Sequence, residues 1–380
     1  MKMEFDTLCL HANNNKRNGY GAIATPIYQS ATFVHGGVEE NSEYSYSRLS
    51  NPTRVHLEDT VAALEKGTVA FAFSSGMAAI STVMKMFASS DHIIASDDLY
   101  GGSLRLFRNV NTTEGMKFDF VNTGDIKAAE SLIGEHTKAI YAETPSNPLM
   151  QVSDIAALAE VAHRYGLLLI VDNTFLTPYY QNPLDLGADI VIHSGTKYLG
   201  GHNDTLAGFA VVKSPELAEK IAYVYKTIGA ALSPFDCFLI ERGIKTLPLR
   251  MDKINANAKA VAQWLRCRKE VKKVYYIGFE DHEGYSVSQK QSRGFGGMIS
   301  FEVESRELAE KILANVKIIQ YAESLGGVDS LITYPMRQTH ADVPELERLQ
   351  RGINDCFLRL SIGIENAKDL IEDLRQAFER

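Results

Sequence analysis

Hydrophobic residues along the chain gather into short, near-continuous runs. They occupy 69–73 ("VAFAF"), 92–96 ("HIIAS"), 138–143 ("KAIYAE"), 167–173 ("LLLIVDN"), 188–194 ("ADIVIHS") and 207–213 ("AGFAVVK"). A strand that is apolar on both faces belongs in a sheet covered by helices on both sides, and such sheets are mostly parallel. Helical patterns lie between many of these runs. "SDIAALAEVAHRYG" (153–166) has helical spacing, and "NPTRVHLEDTVAALEKG" (51–67) reads as a helix capped near Thr53 and stopped at Gly67. The fold class expected is α/β, with a mostly parallel sheet between helical layers.

Texture changes at two places. Residues 1–50 are rich in Asn, Gly, Ser and Tyr and carry no strong helical period. An arm of that length is either disordered or laid across a partner. Beyond about Pro234 a long helical stretch, 235–267, is interrupted at Gly243 and Pro248 and reads as a connector. After it come strands at "VKKVYY" and "GGMISFEVE", a helix near 305–315, a strand ending at Ser361 and a closing amphipathic helix, "NAKDLIEDLRQAFER". This pattern predicts a smaller α+β domain. The division expected is an arm (1–50), a large domain (51–235) and a small C-terminal domain (236–380). No internal repeat or low-complexity tract interrupts it.

Bulk properties narrow the function classes. With 45% hydrophobic and 23% charged residues, 380 residues can bury a sizeable core. The net charge of −8 argues against nucleic acid or an anionic membrane as the partner. No apolar run approaches the roughly 20 residues of a membrane span, and the N-terminus lacks a secretory h-region. Cys9, Cys237, Cys267 and Cys356 are scattered, as free thiols in a reducing cytoplasm would be. No His or Cys spacing matches a metal site.

In open parallel sheets ligands bind beyond the carboxyl ends of the strands. After "VAFAF" comes "SSGMAAI", a small-residue turn opening a helix, where the N–H groups of Gly76 and Met77 suit an anion or merely a tight turn. After "LLLIV" comes Asp172, with Asn173 and Thr174; it suits a buried cation or a helix cap. After "ADIVIH" come Ser194, Thr196 and Lys197, the last either a buried amine or a solvated loop lysine. Asn147 sits in the stiff loop "TPSNPL", and Tyr100 follows "HIIAS" in "DDLYGG". Each has an ordinary structural explanation. Together they form the set that pyridoxal 5′-phosphate needs: donors for phosphate, an acid for the pyridine nitrogen, an aromatic plate and a lysine for a Schiff base. A nucleotide-dependent dehydrogenase on a doubly wound sheet is the rival from another class, and the missing glycine fingerprint counts against it. A third reading is a non-catalytic module that binds the cofactor.

The chain resembles the trans-sulfuration family of pyridoxal-phosphate enzymes: cystathionine γ-synthase, cystathionine β- and γ-lyase, and methionine γ-lyase. "YSYSRLSNPTR", "FSSGMAAI", "DDLYGG", "ETPSNPLM", "IVDNTF", "HSGTKYLGGHND", "AESLGGVDSL" and "LRLSIGIE" carry the likeness over nearly the whole chain. It implies a fold-type I architecture and roles for the matching positions. Lys197 would form the Schiff base and shuttle protons, and Asp172 would pair with the ring nitrogen. Tyr100 would stack on the ring and count with Lys197 as catalytic. Gly76, Met77, Ser194 and Thr196 would hold the phosphate. Asn147 would reach the substrate carboxylate and the cofactor's ring hydroxyl, and Arg359 would grip the carboxylate, with Ser324 assisting. Tyr46 and Arg48 would reach the phosphate of a neighbouring subunit in a homo-oligomer, a dimer of dimers. Glu323 and Ser45 would lie near the distal end of the substrate.

The reaction is less closely specified. Methionine γ-lyases usually have Cys where this chain has Gly102, and Glu323 is typical of cystathionine lyases and some synthases. The tail "LITYPMRQTHADVP" looks like γ-synthases that use acylated homoserine, whereas "SPFDCFLIERGIKTL" looks equally like γ-lyases. The first expectation is a cytoplasmic carbon–sulfur lyase in cysteine and methionine metabolism. Cystathionine γ-synthase or O-acylhomoserine sulfhydrylase is second, and methionine γ-lyase third.

Overall fold

Seven strands form the larger sheet: β1 (Val69–Phe73), β2 (His92–Ser96), β3 (Lys117–Val121), β4 (Thr137–Glu143), β5 (Leu168–Asp172), β6 (Ile190–Ser194) and β7 (Gly208–Val212). Their order across the sheet is β1-β7-β6-β5-β4-β2-β3. All run parallel except β7, which is antiparallel to both β1 and β6. Five more strands make a second sheet: β8 (Val271–Tyr275), β9 (Met298–Val303), β10 (Gln320–Tyr321), β11 (Leu331–Thr333) and β12 (Phe357–Ser361), in the order β10-β11-β12-β9-β8. The structure is a computed structural model that describes residues 3–12, 20–39, 42–338 and 344–379. Residues 339–343 of the "LITYPMRQTHADVP" segment lie outside it.

The expected fold class is found: an α/β molecule with a mostly parallel central sheet and a second, smaller sheet. Central strands such as β4 and β6 bury almost every residue, as their unbroken apolar runs require. Sheet edges are where the sequence reading fell short. β3, "KFDFV", alternates polar and apolar residues because it is the outermost strand and is partly exposed. Its short run has no continuous apolar signal.

The first helix of the larger unit spans Pro52–Leu64, and its cap is Asn51, not Thr53. Asn51 Oδ1 accepts from the N–H of Thr53 at 3.0 Å and of Arg54 at 3.4 Å, while Pro52 occupies the first turn, where its missing N–H costs nothing. The interrupted stretch after Pro234 is two helices, Pro234–Ile244 and Leu247–Arg266. Pro248 sits in the first turn of the second. Gly243 lies inside the first helix, where a Cβ would stand 2.1 Å from the carbonyl oxygen of Gly200. It is a close-approach glycine and not the break that the sequence suggests.

Residues 1–50 are less irregular than expected. Phe5–His11 is a helix, too short to show a period, with Cys9 buried. Residues around Thr32 pair with those around Tyr46, through Phe33 N–H to Ser45 O and Ser47 N–H to Ala31 O, both 2.9 Å. Asn51 ties this pairing to the body by donating to Tyr28 O and Ser47 Oγ. No helix among the described residues is long and apolar enough to cross a membrane.

Asn51 therefore has two separable tasks. Asn51→Ala should cost about 1–2 kcal/mol in denaturant unfolding through the lost cap and speed proteolysis within residues 20–50. Asn51→Asp keeps the acceptor and should preserve most of the stability while still loosening the arm. Equal stability of wild type and Asn51→Ala would show that the cap is idle.

Candidate active site

The candidate residues assemble where the carboxyl ends of β1, β4, β5 and β6 meet the second sheet. Asp172 ends β5, and Ser194 ends β6 with Lys197 three residues on. Arg359 enters from β12, the middle strand of the small sheet, paired with Thr333 of β11 and Ser300 of β9.

Arg359 is 1% exposed. It donates to Asn147 Oδ1 at 2.8 Å, Ser324 O at 3.0 Å and Thr333 Oγ1 at 3.1 Å, and its Nε finds no acceptor. No carboxylate among the described residues lies within ion-pair distance of it. Burial lowers its pKa to about 10. It is a desolvated cation surrounded by neutral oxygens, a fitting seat for an anionic group brought from outside.

Lys197 is half-buried, and its Nζ donates to Ser324 Oγ at 2.7 Å. Burial first, and the nearby Arg359 charge second, lower the amine from 10.5 to about 8. An amine so placed is a usable nucleophile and base near neutral pH. Ser324 serves both cations, with its hydroxyl on Lys197 and its carbonyl on Arg359. It does so at φ +84°, in the left-handed region that costs a non-glycine residue strain. The neighbouring Gly326 is forced: a Cβ there would stand 2.7 Å from Tyr198 N. Arg250, buried in the helix Leu247–Arg266, fixes the other side of the lysine loop by donating to Tyr198 O at 2.7 Å and Gly243 O at 2.8 Å.

Asp172 is 9% exposed and has no cationic ion-pair partner among the described residues. Thr174 serves its Oδ1 twice, by N–H at 3.0 Å and by hydroxyl at 2.6 Å. Burial pushes the Asp172 carboxyl up, and the Thr174 bonds and His193 oppose that. Glu143 lies opposite in register on β4, and burial followed by the Asp172 charge pushes its carboxyl well above the usual range.

Helix Gly76–Met84 begins beside Ser194. Ser75 caps it by accepting from Ala78 N–H at 3.1 Å, which leaves the opening N–H groups of Gly76 and Met77 without helical acceptors. Two glycines clear this corner: a Cβ on Gly76 would stand 3.0 Å from Ser194 Cβ, and one on Gly208 would stand 2.1 Å from Ser75 O. Thr196 Oγ1 bonds the backbone of Ala207. Tyr100 is 42% exposed, and its ring occupies the space that a Cβ on Gly102 would need, 2.5 Å from Tyr100 Cε1. A larger residue at 102 would displace that ring.

Other candidates stand apart. Arg48 donates to Lys226 O, and its guanidinium carbon lies 5.6 Å from the centre of the Tyr46 ring. Neither makes a hydrogen bond to Lys197, Ser194 or Gly76 among the described residues. Ser45 contributes its backbone carbonyl to the arm pairing. Glu323 is exposed and accepts from Gln338 Nε2 at 3.1 Å.

Four residues were missed from sequence. Glu143 accepts from Tyr100 N–H at 2.9 Å, Thr174 orients Asp172, and Glu65 pairs with His193 beneath the strand ends. A carboxylate ending the run "KAIYAE" was the available signal for Glu143. Glu65, at the end of a helix more than a hundred residues away, offered none. A cavity of about 570 Å³ lies elsewhere, between Leu149, Lys272, Tyr275 and Arg351, and shares no residue with the Lys197 cluster.

Comparison with known proteins identifies the family and the fold. The model of the "Cys/Met metabolism PLP-dependent enzyme" family matches residues 6–379. The chain is 46% identical over 374 residues to a cystathionine beta-lyase of Lactococcus lactis, covering 98% of each chain. It is 46% identical to the cystathionine gamma-synthase of Haemophilus influenzae, covering 98% of this chain and 97% of that one. The crystal structure of cystathionine gamma-lyase from Lactobacillus plantarum complexed with L-serine superposes with a TM-score of 0.97 at 45% identity, covering 99% of both chains.

In protein freed of cofactor, Lys197 should react with an amine-acylating reagent with a pH midpoint of about 8, well below the ordinary 10.5. The reaction is read by peptide mass spectrometry. Arg359→Gln removes the smaller cause and should move the midpoint part of the way up. A rate that keeps climbing through pH 10 in the wild type would mean a solvated amine.

Proposed function

The chain belongs to the Cys/Met metabolism family of PLP-dependent enzymes, and we propose that within it this protein is a carbon–sulfur lyase acting on cystathionine or a related sulfur amino acid. The observation that carries the reading is the pairing of a half-buried and a buried cation with one serine: a lysine lowered to about 8 and an arginine with no acid of its own, both on Ser324. An α-amino acid brings a carboxylate for the guanidinium and an amine that can take the place of the Lys197 amine.

The residues present fit the family's cofactor. Asp172 is a buried acid lacking a cation, the helix opening at Gly76 is a cleared corner for phosphate, and Tyr100 offers an accessible ring face. Pyridoxal phosphate, when bound, supplies a carbonyl that condenses with amines and a ring that takes up the electron pair left by a departing α-proton. Gly76 and Met77 N–H, with the Ser194 and Thr196 hydroxyls, would hold the phosphate. Asp172 would keep the ring nitrogen protonated, and Tyr100 would cover the ring. Lys197 would hold the cofactor until the substrate amine takes its place, which frees Nζ to act as a base. Arg359 and Asn147 would bind the substrate carboxylate and turn the α-hydrogen toward Lys197, whose Nζ would take it as a proton and later return it. Ser324 Oγ keeps Nζ in place between transfers. β-Elimination needs only that proton. γ-Elimination and γ-replacement need a second one from the β-carbon, and Lys197 and Tyr100 are the groups at hand to carry it.

Cystathionine γ-synthase activity is the second reading, supported by the equal likeness to lyases and synthases. Product analysis with L-cystathionine, O-acetyl-L-homoserine plus cysteine, and L-methionine, run in parallel, distinguishes the two. A lyase releases ammonia, a keto acid and a thiol from cystathionine. Net synthesis of cystathionine without keto acid would put the synthase first.

Glu323 is the residue through which a lyase would read the distal ammonium of cystathionine. A charge-assisted contact of that kind contributes ~1–3 kcal/mol. Glu323→Ala should therefore lower kcat/KM for cystathionine by roughly 5- to 150-fold and affect methionine less. Equal losses on both substrates would remove this support for the lyase.

The arm belongs to the same proposal. Ile23, Val34 and Val38 are apolar and 86% or more exposed, as a segment awaiting a partner surface would be. A second copy of this chain, receiving Tyr46 and Arg48 at its phosphate corner, is the proposed partner. Arg48→Ala and Lys197→Ala should each be nearly inactive, and mixed dimers of the two should regain activity at sites holding both intact residues. Verified mixed dimers with no recovery would count against a shared site.

A further inference from the structure

Beneath the strand ends lies a polar cluster that the proposed chemistry does not use. Glu65 follows the helix Pro52–Leu64 as its C-cap, and its side chain is 0% exposed. Its Oε1 meets His193 Nε2 at 2.5 Å, and the His193 side chain is 1% exposed. The same Oε1 accepts from Asn173 Nδ2 at 2.9 Å. Asn173 is held in turn by Gln181, and its N–H donates to Ile192 O. Glu65 Oε2 and His193 Nδ1 have no partner.

Replacing such a buried pair by apolar residues is often neutral or stabilising, so fold stability alone is a weak reason for it. Its placement suggests another. Asn173 and His193 are chain neighbours of Asp172 and Ser194, and those two segments are bridged by Thr174 Oγ1, which accepts from Ser194 N–H at 2.9 Å and donates to Asp172 Oδ1. Glu65 thus grips both strands that present the site, one residue behind each functional side chain. Asp172 also shares its surroundings with a second buried carboxyl, Glu143, and with Tyr141, whose hydroxyl stands 3.5 Å from Asp172 Oδ2. Two carboxyls so close in a low dielectric compete for one proton. A charge on His193 would oppose the rise at Asp172, and Glu65 holds both that histidine and Asn173 in place.

We infer that Glu65 and His193 are a positioning pair that fixes the orientation and the charge of Asp172 from behind the sheet. The inference rests on the proposed role of Asp172 toward the ring nitrogen. It goes beyond that role by assigning control of it to two residues that touch neither cofactor nor substrate. Glu65→Gln keeps the shape and a hydrogen bond while removing the charge. His193→Gln keeps a donor but cannot carry a proton charge.

The test uses holoenzyme. Three readouts are taken: the rate at which pyridoxal phosphate leaves on dilution, the pH midpoint of the bound cofactor's absorption band, and kcat and KM measured separately. Circular dichroism checks folding. Glu65→Gln and His193→Gln should each speed cofactor loss by about tenfold or more, shift the absorption midpoint, and lower kcat with little change in KM. Asp172→Asn should do the same more strongly. Adding Glu65→Gln to Asp172→Asn should then change nothing further, because the pair acts through Asp172.

If Asp172→Asn leaves cofactor retention and spectrum unchanged, the underlying reading of Asp172 fails. If Asp172→Asn acts but the folded Glu65→Gln and His193→Gln proteins match the wild type, or add their losses to it, this inference fails alone. Loss of folding in both variants would also overturn it, since the pair would then serve to pin the helix to the sheet.

Discussion

A guanidinium buried to 1% exposure without a carboxylate is the constraint from which the rest of the site follows. Moving such a charge out of water costs several kcal/mol even after relaxation. Arg359 recovers part of this through three neutral oxygens, and each comes from a different segment: Asn147 beyond β4, Ser324 before β11, and Thr333 within β11. Both sheets must be in place before those oxygens converge. Strain at Ser324 belongs to the same arrangement. A left-handed serine costs of the order of 1–3 kcal/mol, and it persists because its carbonyl and hydroxyl are each committed to a cation.

Burial acts on the remaining groups in opposite senses with one result. It lowers Lys197 and raises Asp172 and Glu143, so each is driven toward its uncharged form. A lone amine, an acid without a cation and an arginine without an acid lie within a single junction. Such a set is poor as an internal salt-bridge network. It suits ligands that carry the complementary charges themselves, as a zwitterionic amino acid does. The groups that orient the set directly are neutral: the Thr174 hydroxyl and the Asn147 amide.

How much of this could be read from the sequence depended on what each residue answers to. Lys197, Asp172 and Asn147 directly follow long apolar strands, so their place at one rim follows from the sheet alone. Arg359 and Ser324 come from the second sheet, and no local pattern links them to Lys197; only the family likeness brought them in. Asn51 was overlooked because proline in a first helical turn looks like a breaker until the cap is seen. β3 was overlooked because an edge strand lacks the double-sided burial that makes the others conspicuous. Glu65 and His193 had no signal, since contact between residues 128 apart is set by packing of a helix under a sheet and leaves no trace in either segment.

The two halves of the junction are under different physical pressures. Asp172, Asn147 and Arg359 are buried, and altering any of them strands a charge or an amide in a low dielectric, a cost felt by the fold as well as the chemistry. Glu323 sits at the exposed rim on a single bond to Gln338, and Ser45 contributes only its backbone carbonyl to the arm pairing. Substitution at either position leaves the buried half intact. Near-equal identity to lyases and to synthases is compatible with a buried half that all of them need. In this chain Glu323 is exposed and the ring of Tyr100 lies over an unsubstituted Gly102, so both positions can change without disturbing the buried cations.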